Sequence, residues 1–146
     1  MLIGEYIHTV DQKNRVSLPF KFRKEMGKKV IITPGLDSCL FIFTAKEWAK
    51  VAKRLSENEL SFLKADQRSF NRNMFGQAVD VEVDSIGRIL IPDFLKDKIK
   101  IGGKAALIGV KDRVEVWNEK VWQKYKEIAD KEAEGIAEKL ADKGGF

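Results

Sequence analysis

The sequence is poor in the residues that build covalent cross-links, metal sites and catalytic pairs. It contains one cysteine, one histidine and three prolines in 146 residues. A single cysteine excludes a disulfide framework, and a single histidine, His8, leaves no cluster for a metal ion and no Cys/His pair for nucleophilic catalysis. Neither a GxxxxGK[ST] phosphate loop nor a GxGxxG turn occurs. We therefore predict no catalytic, metal-binding or cofactor-binding residue, and no small-molecule substrate.

Long hydrophobic runs are also missing. The longest apolar runs, residues 39–43 and 105–110, have five and six residues, whereas a membrane-spanning helix needs about 20. The first residues lack the basic and apolar segments of an export signal. Apolar residues still make up 44% of the chain, which is enough for a packed core. These features predict a cytoplasmic protein without a membrane partner.

Positive charge is the first feature that suggests a partner. The chain has 27 basic and 22 acidic residues, and its net charge is +5. Such a balance favours an anionic partner only weakly. The charge is concentrated, however, between residues 12 and 29, where Glu25 is the only acid among seven basic residues: Lys13, Arg15, Lys21, Arg23, Lys24, Lys28 and Lys29.

A segment of nine residues occurs twice. Residues 11–19 align with residues 84–92, and Asp, Arg and Pro coincide at an offset of 73. The similarity resumes at residues 40–43 and 114–117 and continues to Trp48 and Trp122. A match that continues in register through a strand and a tryptophan indicates an internal duplication. We predict a first repeat over residues 1–58, a connecting helix over 59–76, and a second repeat with a C-terminal helix over 77–146.

Each repeat predicts the same order of elements. A strand (residues 6–10 and 79–83) leads through a tight turn to a second strand (15–18 and 88–91), a short helix, and a hairpin (29–43 and 105–117). Asn14 and Gly87 tolerate the positive φ that such a turn requires. Pro19 and Pro92 suit a helix start, and Gly27 and Gly102 are predicted helix stops.

Three capping signals predict the remaining helices. Thr44 with Glu47 forms a capping box, residues 56–59 form a second one, and Asn118 can cap a C-terminal helix. Leu60, Leu63, Phe70 and Met74 mark a helix between the repeats. The fold class is therefore α+β with a mainly β core and peripheral helices.

The repeated turn has a structural and a functional interpretation, which can coexist. Asp11 with Arg15, and Asp84 with Arg88, can be simple pairs across a turn. A basic two-stranded ribbon can also enter a major groove, where arginine bonds guanine edges and lysines contact phosphates. The second copy is less basic, so we expect the first to dominate. The candidate DNA-binding residues are Lys13, Asn14, Arg15, Lys21, Arg23, Lys24, Gly87 and Arg88.

These residues resemble the MraZ family within the AbrB-like (SpoVT-AbrB) superfamily. Residues 11–23, residues 84–92 and the opening MLIGEY carry the resemblance, which extends over nearly the whole chain. It implies a swapped-hairpin β-barrel made by the two repeats, a ring-shaped homo-oligomer, and a nucleoid-associated transcription regulator. It also implies binding to double-stranded DNA at tandem repeats upstream of the division and cell wall gene cluster. The family usually has glycine where this chain has Asn14.

Other functions fit the sequence less well. An antitoxin-like, protein-binding AbrB module is the main alternative, although such proteins usually carry one motif and a disordered tail. RNA binding by base stacking is disfavoured because Phe20 and Phe22 look like core residues. Asp11 and Asp84 could be paired catalytic carboxylates, but their matching turns favour a turn role. Trp48, Trp117 and Trp122 are expected in core or subunit packing, and Cys39 is expected to be inert.

Overall fold

The computed structural model describes residues 1–57 and 60–144. The predicted order of elements is present in both repeats, with ends shifted by a few residues. The first repeat contains β1 (Leu2–Thr9), β2 (Arg15–Ser17), α1 (Phe20–Met26), β3 (Lys29–Pro34), β4 (Leu40–Thr44) and α2 (Ala45–Leu55). A 3₁₀ helix (Ser61–Leu63) and α3 (Ala65–Met74) precede β5 (Val79–Glu82), β6 (Arg88–Leu90), α4 (Asp93–Lys98), β7 (Lys104–Lys111), β8 (Val114–Asn118) and α5 (Glu119–Asp142).

Strands from the two repeats alternate in one antiparallel sheet. Its order is β1-β7-β8-β4-β3-β5. Leu2 lies opposite Lys111 where β1 pairs with β7, and the β8–β4 and β3–β5 junctions also join opposite repeats. Each repeat therefore supplies strands that the other needs, and the sheet forms only when both are present.

A second sheet has two strands, β2 and β6, one from each repeat. Val16 lies opposite Ile89 at its centre. The closed barrel that the resemblance implies is wrong, since within the described residues no ladder joins β1 to β5 and the larger sheet stays open. Pro19 and Pro92 explain this result, because a residue without an N–H cannot extend the short ladder. The α+β class with a mainly β core is confirmed.

The six-stranded sheet is covered on both faces. Alternate strand residues point to opposite faces, so Leu107 joins the core beneath β2, β6, α1 and α4, while Ile108 joins the aromatic cluster beneath α2, α3 and α5. The predicted apolar stripes of α1 and α4 lie in the first core, with Phe22 and Leu95 almost fully buried. In the aromatic cluster Trp117 is buried, and Trp48 and Trp122 are half-buried, which confirms a packing role for all three.

Helix ends follow the predicted capping signals with two exceptions. Thr44 Oγ1 accepts a hydrogen bond from the Glu47 N–H at 3.1 Å, and Asn118 caps α5 through the N–H groups of Lys120 and Val121. The predicted stop at Gly102 is wrong: α4 ends at Lys98, and Lys100 takes the positive φ of 54°. The chain reverses there because the residues on either side, at positions 99 and 101, are both buried. Ser56 ends α2, and residue 59 of the second predicted box lies outside the described residues.

The C-terminal helix α5 is packed only through its first turns. Trp122 and Tyr125 contact Trp117, with ring centroids 5.2 and 4.9 Å apart. Further along, Ile128, Ile136 and Leu140 are exposed. Among the described residues, no helix combines the length and apolar character needed to cross a membrane.

Candidate nucleic-acid interface

The two predicted turns have the same backbone geometry. Asp11 Oδ1 accepts hydrogen bonds from the N–H groups of Lys13 and Arg15, both at 2.9 Å. Asp84 Oδ1 accepts the equivalent bonds from Ile86 at 3.0 Å and Arg88 at 2.8 Å. Such side-chain bonds to the following backbone are the usual reason for aspartate in a tight turn. The repeated aspartate is therefore the structural centre of each turn.

Each aspartate also holds the arginine that closes its turn. Arg15 Nε lies 2.9 Å from Asp11 Oδ2, and Arg88 Nε lies 2.7 Å from Asp84 Oδ2. The predicted pairs across the turn are thus confirmed. Among the described residues, the side-chain hydrogen bonds of both arginines use Nε. The two Nη atoms of each guanidinium, the edge that can donate to a guanine or a phosphate, are bonded to no other described residue.

The turn carboxylates remain ionised well into the acid range. Hydrogen bonding of the Arg15 backbone N–H is the largest cause that lowers the pKa of Asp11, and the Arg15 side chain lowers it further, against a smaller effect of burial. The Arg88 N–H and side chain lower the pKa of Asp84 in the same way. Each ion pair is therefore formed throughout the neutral range.

The residue before each arginine takes the left-handed conformation. Asn14 has φ 61° and Gly87 has φ 83°. The Asn14 side chain contacts helix α4 of the second repeat, since Asn14 Nδ2 donates to Asp93 Oδ1 and Lys96 Nζ donates to Asn14 Oδ1 at 2.8 Å. Sequence reasoning missed both α4 residues, although Lys96 follows Arg23 by the repeat offset of 73.

Gly87 is required by packing as well as by its φ. A Cβ atom at this position would overlap Arg23 Nε of helix α1. The same Nε donates a hydrogen bond to the Leu18 carbonyl at 3.0 Å, and the guanidinium lies 5.8 Å from the centre of the Phe20 ring. The structure thus brings the predicted residues Arg23 and Gly87 together, across the two repeats.

Other predicted residues are placed on separate surfaces. Lys13 is exposed at the tip of the first turn. Lys21 and Lys24 are exposed on α1 and line a shallow depression together with Met1 and Glu25. The expectation that Phe20 is a core residue is wrong, because it is 84% exposed at the start of α1, two positions before the buried Phe22 and hence on the outer face of the helix.

The histidine and cysteine have structural environments. His8 Nδ1 lies 2.6 Å from the Ser17 carbonyl oxygen. Cys39 is buried, and burial raises the pKa of its thiol to about 12, which makes it a poor nucleophile. Within the described residues, no group of three histidine, cysteine or carboxylate side chains could hold a metal ion.

Comparison with known proteins places the chain in a group of bacterial regulators. The sequence model of the family described as "MraZ protein, putative antitoxin-like" matches it twice, at residues 1–73 and 74–143. A relative from Caldicellulosiruptor saccharolyticus is 46% identical over 99% of each chain, and one from Caldanaerobacter subterraneus is 45% identical over 96% of each chain. A Thermoanaerobacter relative is 44% identical over 97% of this chain and 98% of its own. All three carry the name transcriptional regulator MraZ, which agrees with the prediction of a non-enzymatic regulator.

Proposed function

This chain belongs to the MraZ family, and we propose that it regulates transcription by binding specific sequences in double-stranded DNA through its two Asp–Arg turns. Its sites of action are tandem repeats upstream of the division and cell wall gene cluster. The protein acts in the cytoplasm, on the nucleoid.

The observation that carries this proposal is the way Arg15 and Arg88 are held. Each Nε is bonded to the aspartate of its own turn, so the guanidinium is fixed before DNA arrives and loses little side-chain freedom on binding. The Nη edge of a fixed guanidinium can bond guanine O6 and N7 as a pair. Arg15 has Lys13 beside it on the tip of the same ribbon, where a lysine suits a phosphate.

Tandem sites fit an assembly with several ribbons. One turn makes few contacts with DNA, whereas a homo-oligomeric ring presents many turns on one frame. When the spacing of the turns matches that of the sites, tethering raises the overall affinity by roughly 10²–10⁴. The exposed residues Ile128, Ile136 and Leu140 of α5 are one apolar surface available for contacts between subunits.

The test is selection of bound DNA from a random library by the full-length protein. We expect enrichment of a short repeated sequence. Arg15→Ala is then expected to lose specific binding while its circular dichroism spectrum and oligomeric state remain those of the wild type. Arg54→Ala, which removes the same charge from the exposed last turn of α2, is the matched control and should bind normally. Equal affinity of Arg15→Ala and wild type would contradict the proposal.

A protein-binding role is the second candidate, because the description of the matching family includes the words antitoxin-like. Under that hypothesis the library selection recovers nothing above background. The same surface would then serve a protein ligand, and Arg15→Ala would have no DNA-binding phenotype.

A further inference from the structure

The segment that follows each short helix lies beside the turn of the opposite repeat. Val83, at the entrance to the second turn, donates its N–H to the Lys28 carbonyl of the first repeat at 2.8 Å. Val10, at the entrance to the first turn, donates its N–H to the Gly103 carbonyl of the second repeat at 2.9 Å. The basic stretch that the sequence associates with the first turn therefore lies, in its later part, next to the second.

Helix α4 places one cation against the first turn. Asp93 can only accept hydrogen bonds and Lys96 can only donate them, so they fix the orientation of the Asn14 amide that bridges them. Lys96 uses one of its three N–H groups in the bond to Asn14, and the other two can serve a phosphate oxygen. Its half-buried side chain leaves the ammonium at the ribbon, 82 residues away in sequence from the residue it contacts.

Helix α1 places the equivalent cation against the second turn. Arg23 packs on Gly87 and is held there by the bond from its Nε to the Leu18 carbonyl. The tip of the second turn carries Ser85 and Ile86, neither of which is charged. Arg23 is thus the cation that compensates for the missing lysine at that tip.

We propose that each DNA-binding ribbon is composite: Lys96 of the second repeat completes the first turn, Arg23 of the first repeat completes the second, and both turns contact DNA through these two phosphate ligands. The inference rests on the proposed function and assigns Lys96 to the binding surface. It also replaces the expectation that the first repeat dominates, because each turn borrows its flanking cation from the other repeat.

The experiment measures how the affinity for the selected DNA depends on salt. Neutralising one phosphate contact lowers the slope of log K against log salt concentration by about 0.9, and weakens binding on the order of tenfold. We expect this change for Lys96→Gln and for Arg23→Gln. Lys98→Gln is the matched control, since Lys98 lies on the same helix but is exposed and bonded to Gln77, and it should keep the wild-type slope and affinity.

A purely structural role would change the affinity without changing the slope. Asn14→Ala serves as the reference for that case, since it removes the bridge to α4 and leaves the charge of Lys96 in place. Wild-type slopes for Lys96→Gln and Arg23→Gln, with selection of DNA by the wild type, would overturn this inference alone. A wild-type slope for Arg23→Gln only would overturn the role of the second turn. Selection of no DNA by the wild-type protein would overturn the proposed function itself.

Discussion

Val16 and Ile89 occupy equivalent positions in the two repeats and lie directly opposite each other in the β2–β6 sheet. Each has 1% of its surface exposed. On either side of them the pairing is reciprocal, since Leu18 donates its N–H to the Gly87 carbonyl and Ile91 donates its N–H to the Asn14 carbonyl, both at 2.8 Å. The two ribbons are thus related by an approximate twofold axis through this pair, and the pair fixes their mutual orientation.

Ile89→Ala is expected to destabilise the protein strongly. The change removes buried side-chain volume at the approximate axis, and buried Ile→Ala changes lower the free energy of unfolding by about 2–5 kcal/mol. Urea unfolding followed by circular dichroism measures the effect. Leu90→Ala is the matched control on the same strand, because Leu90 is 49% exposed and its loss should change the free energy of unfolding little. Equal effects of the two changes would show that β6 is not packed as described.

Stability should fall in acid because of the two turn aspartates. The bonds from Arg15 and Arg88 lower the pKa of Asp11 and Asp84 in the folded protein, below the usual value of about 3.9. Such groups stabilise the fold fully above the pKa of the unfolded chain, and their contribution is lost as the pH falls through the lower, folded pKa. A series of urea unfolding curves between about pH 6 and pH 2 tests this.

The double variant with Asp11→Asn and Asp84→Asn isolates the effect. We expect its unfolding free energy to be lower than that of the wild type at neutral pH and to depend less on pH in the acid range. Asp130→Asn, which removes an exposed carboxylate from α5, should leave the acid profile as it is in the wild type. An unchanged profile in the double variant would mean that other carboxylates control acid unfolding.

Gly87→Ala should reduce both stability and DNA binding. A side chain at φ 83° is strained by about 1–2 kcal/mol, and its Cβ would displace Arg23. Gly102→Ala is the control, because a Cβ there meets no atom within 4 Å. Thermal unfolding and the salt dependence of DNA binding should distinguish the two variants. Wild-type behaviour of Gly87→Ala in both measurements would contradict the close contact with Arg23.

Cys39 should react slowly with alkylating reagents in the native protein. Burial raises the pKa of its thiol to about 12, so very little thiolate exists at neutral pH. In urea, where the pKa returns to about 8.5, labelling should become rapid. Mass spectrometry of samples taken over time gives both rates, and fast labelling of the native protein would mean that β4 opens readily.

Local features of this fold could be predicted from the sequence because neighbouring residues determine them. Asp11 and Arg15 are four positions apart, and the spacing alone gives the turn and its ion pair. The cap at Thr44 likewise depends on contacts within four residues. Gly102 shows the limit even locally, because the burial of Ile99 and Ile101 places the reversal at Lys100 instead.

The contacts of Asn14 with α4 could not be predicted in the same way. They depend on the pairing of β2 with β6, which brings together residues 82 positions apart. The open sheet was also missed, because the resemblance implied a barrel and only the structure shows where the ladders stop. The repeat offset nevertheless relates Lys96 to Arg23, so a search for cations equivalent to known candidates would have found it.

The pairing of β1 with β7 has a consequence for synthesis of the protein. Leu2 finds its partner Lys111 only after about a hundred further residues have been made, which takes roughly 5–20 s at bacterial rates of about 5–20 residues per second. During that time β1 has no neighbour in the sheet, and the apolar faces of β3 and β4 lack β5 and β8. The nascent first repeat is therefore a substrate for chaperones, and translation must pass β7 and β8 before the chain can fold.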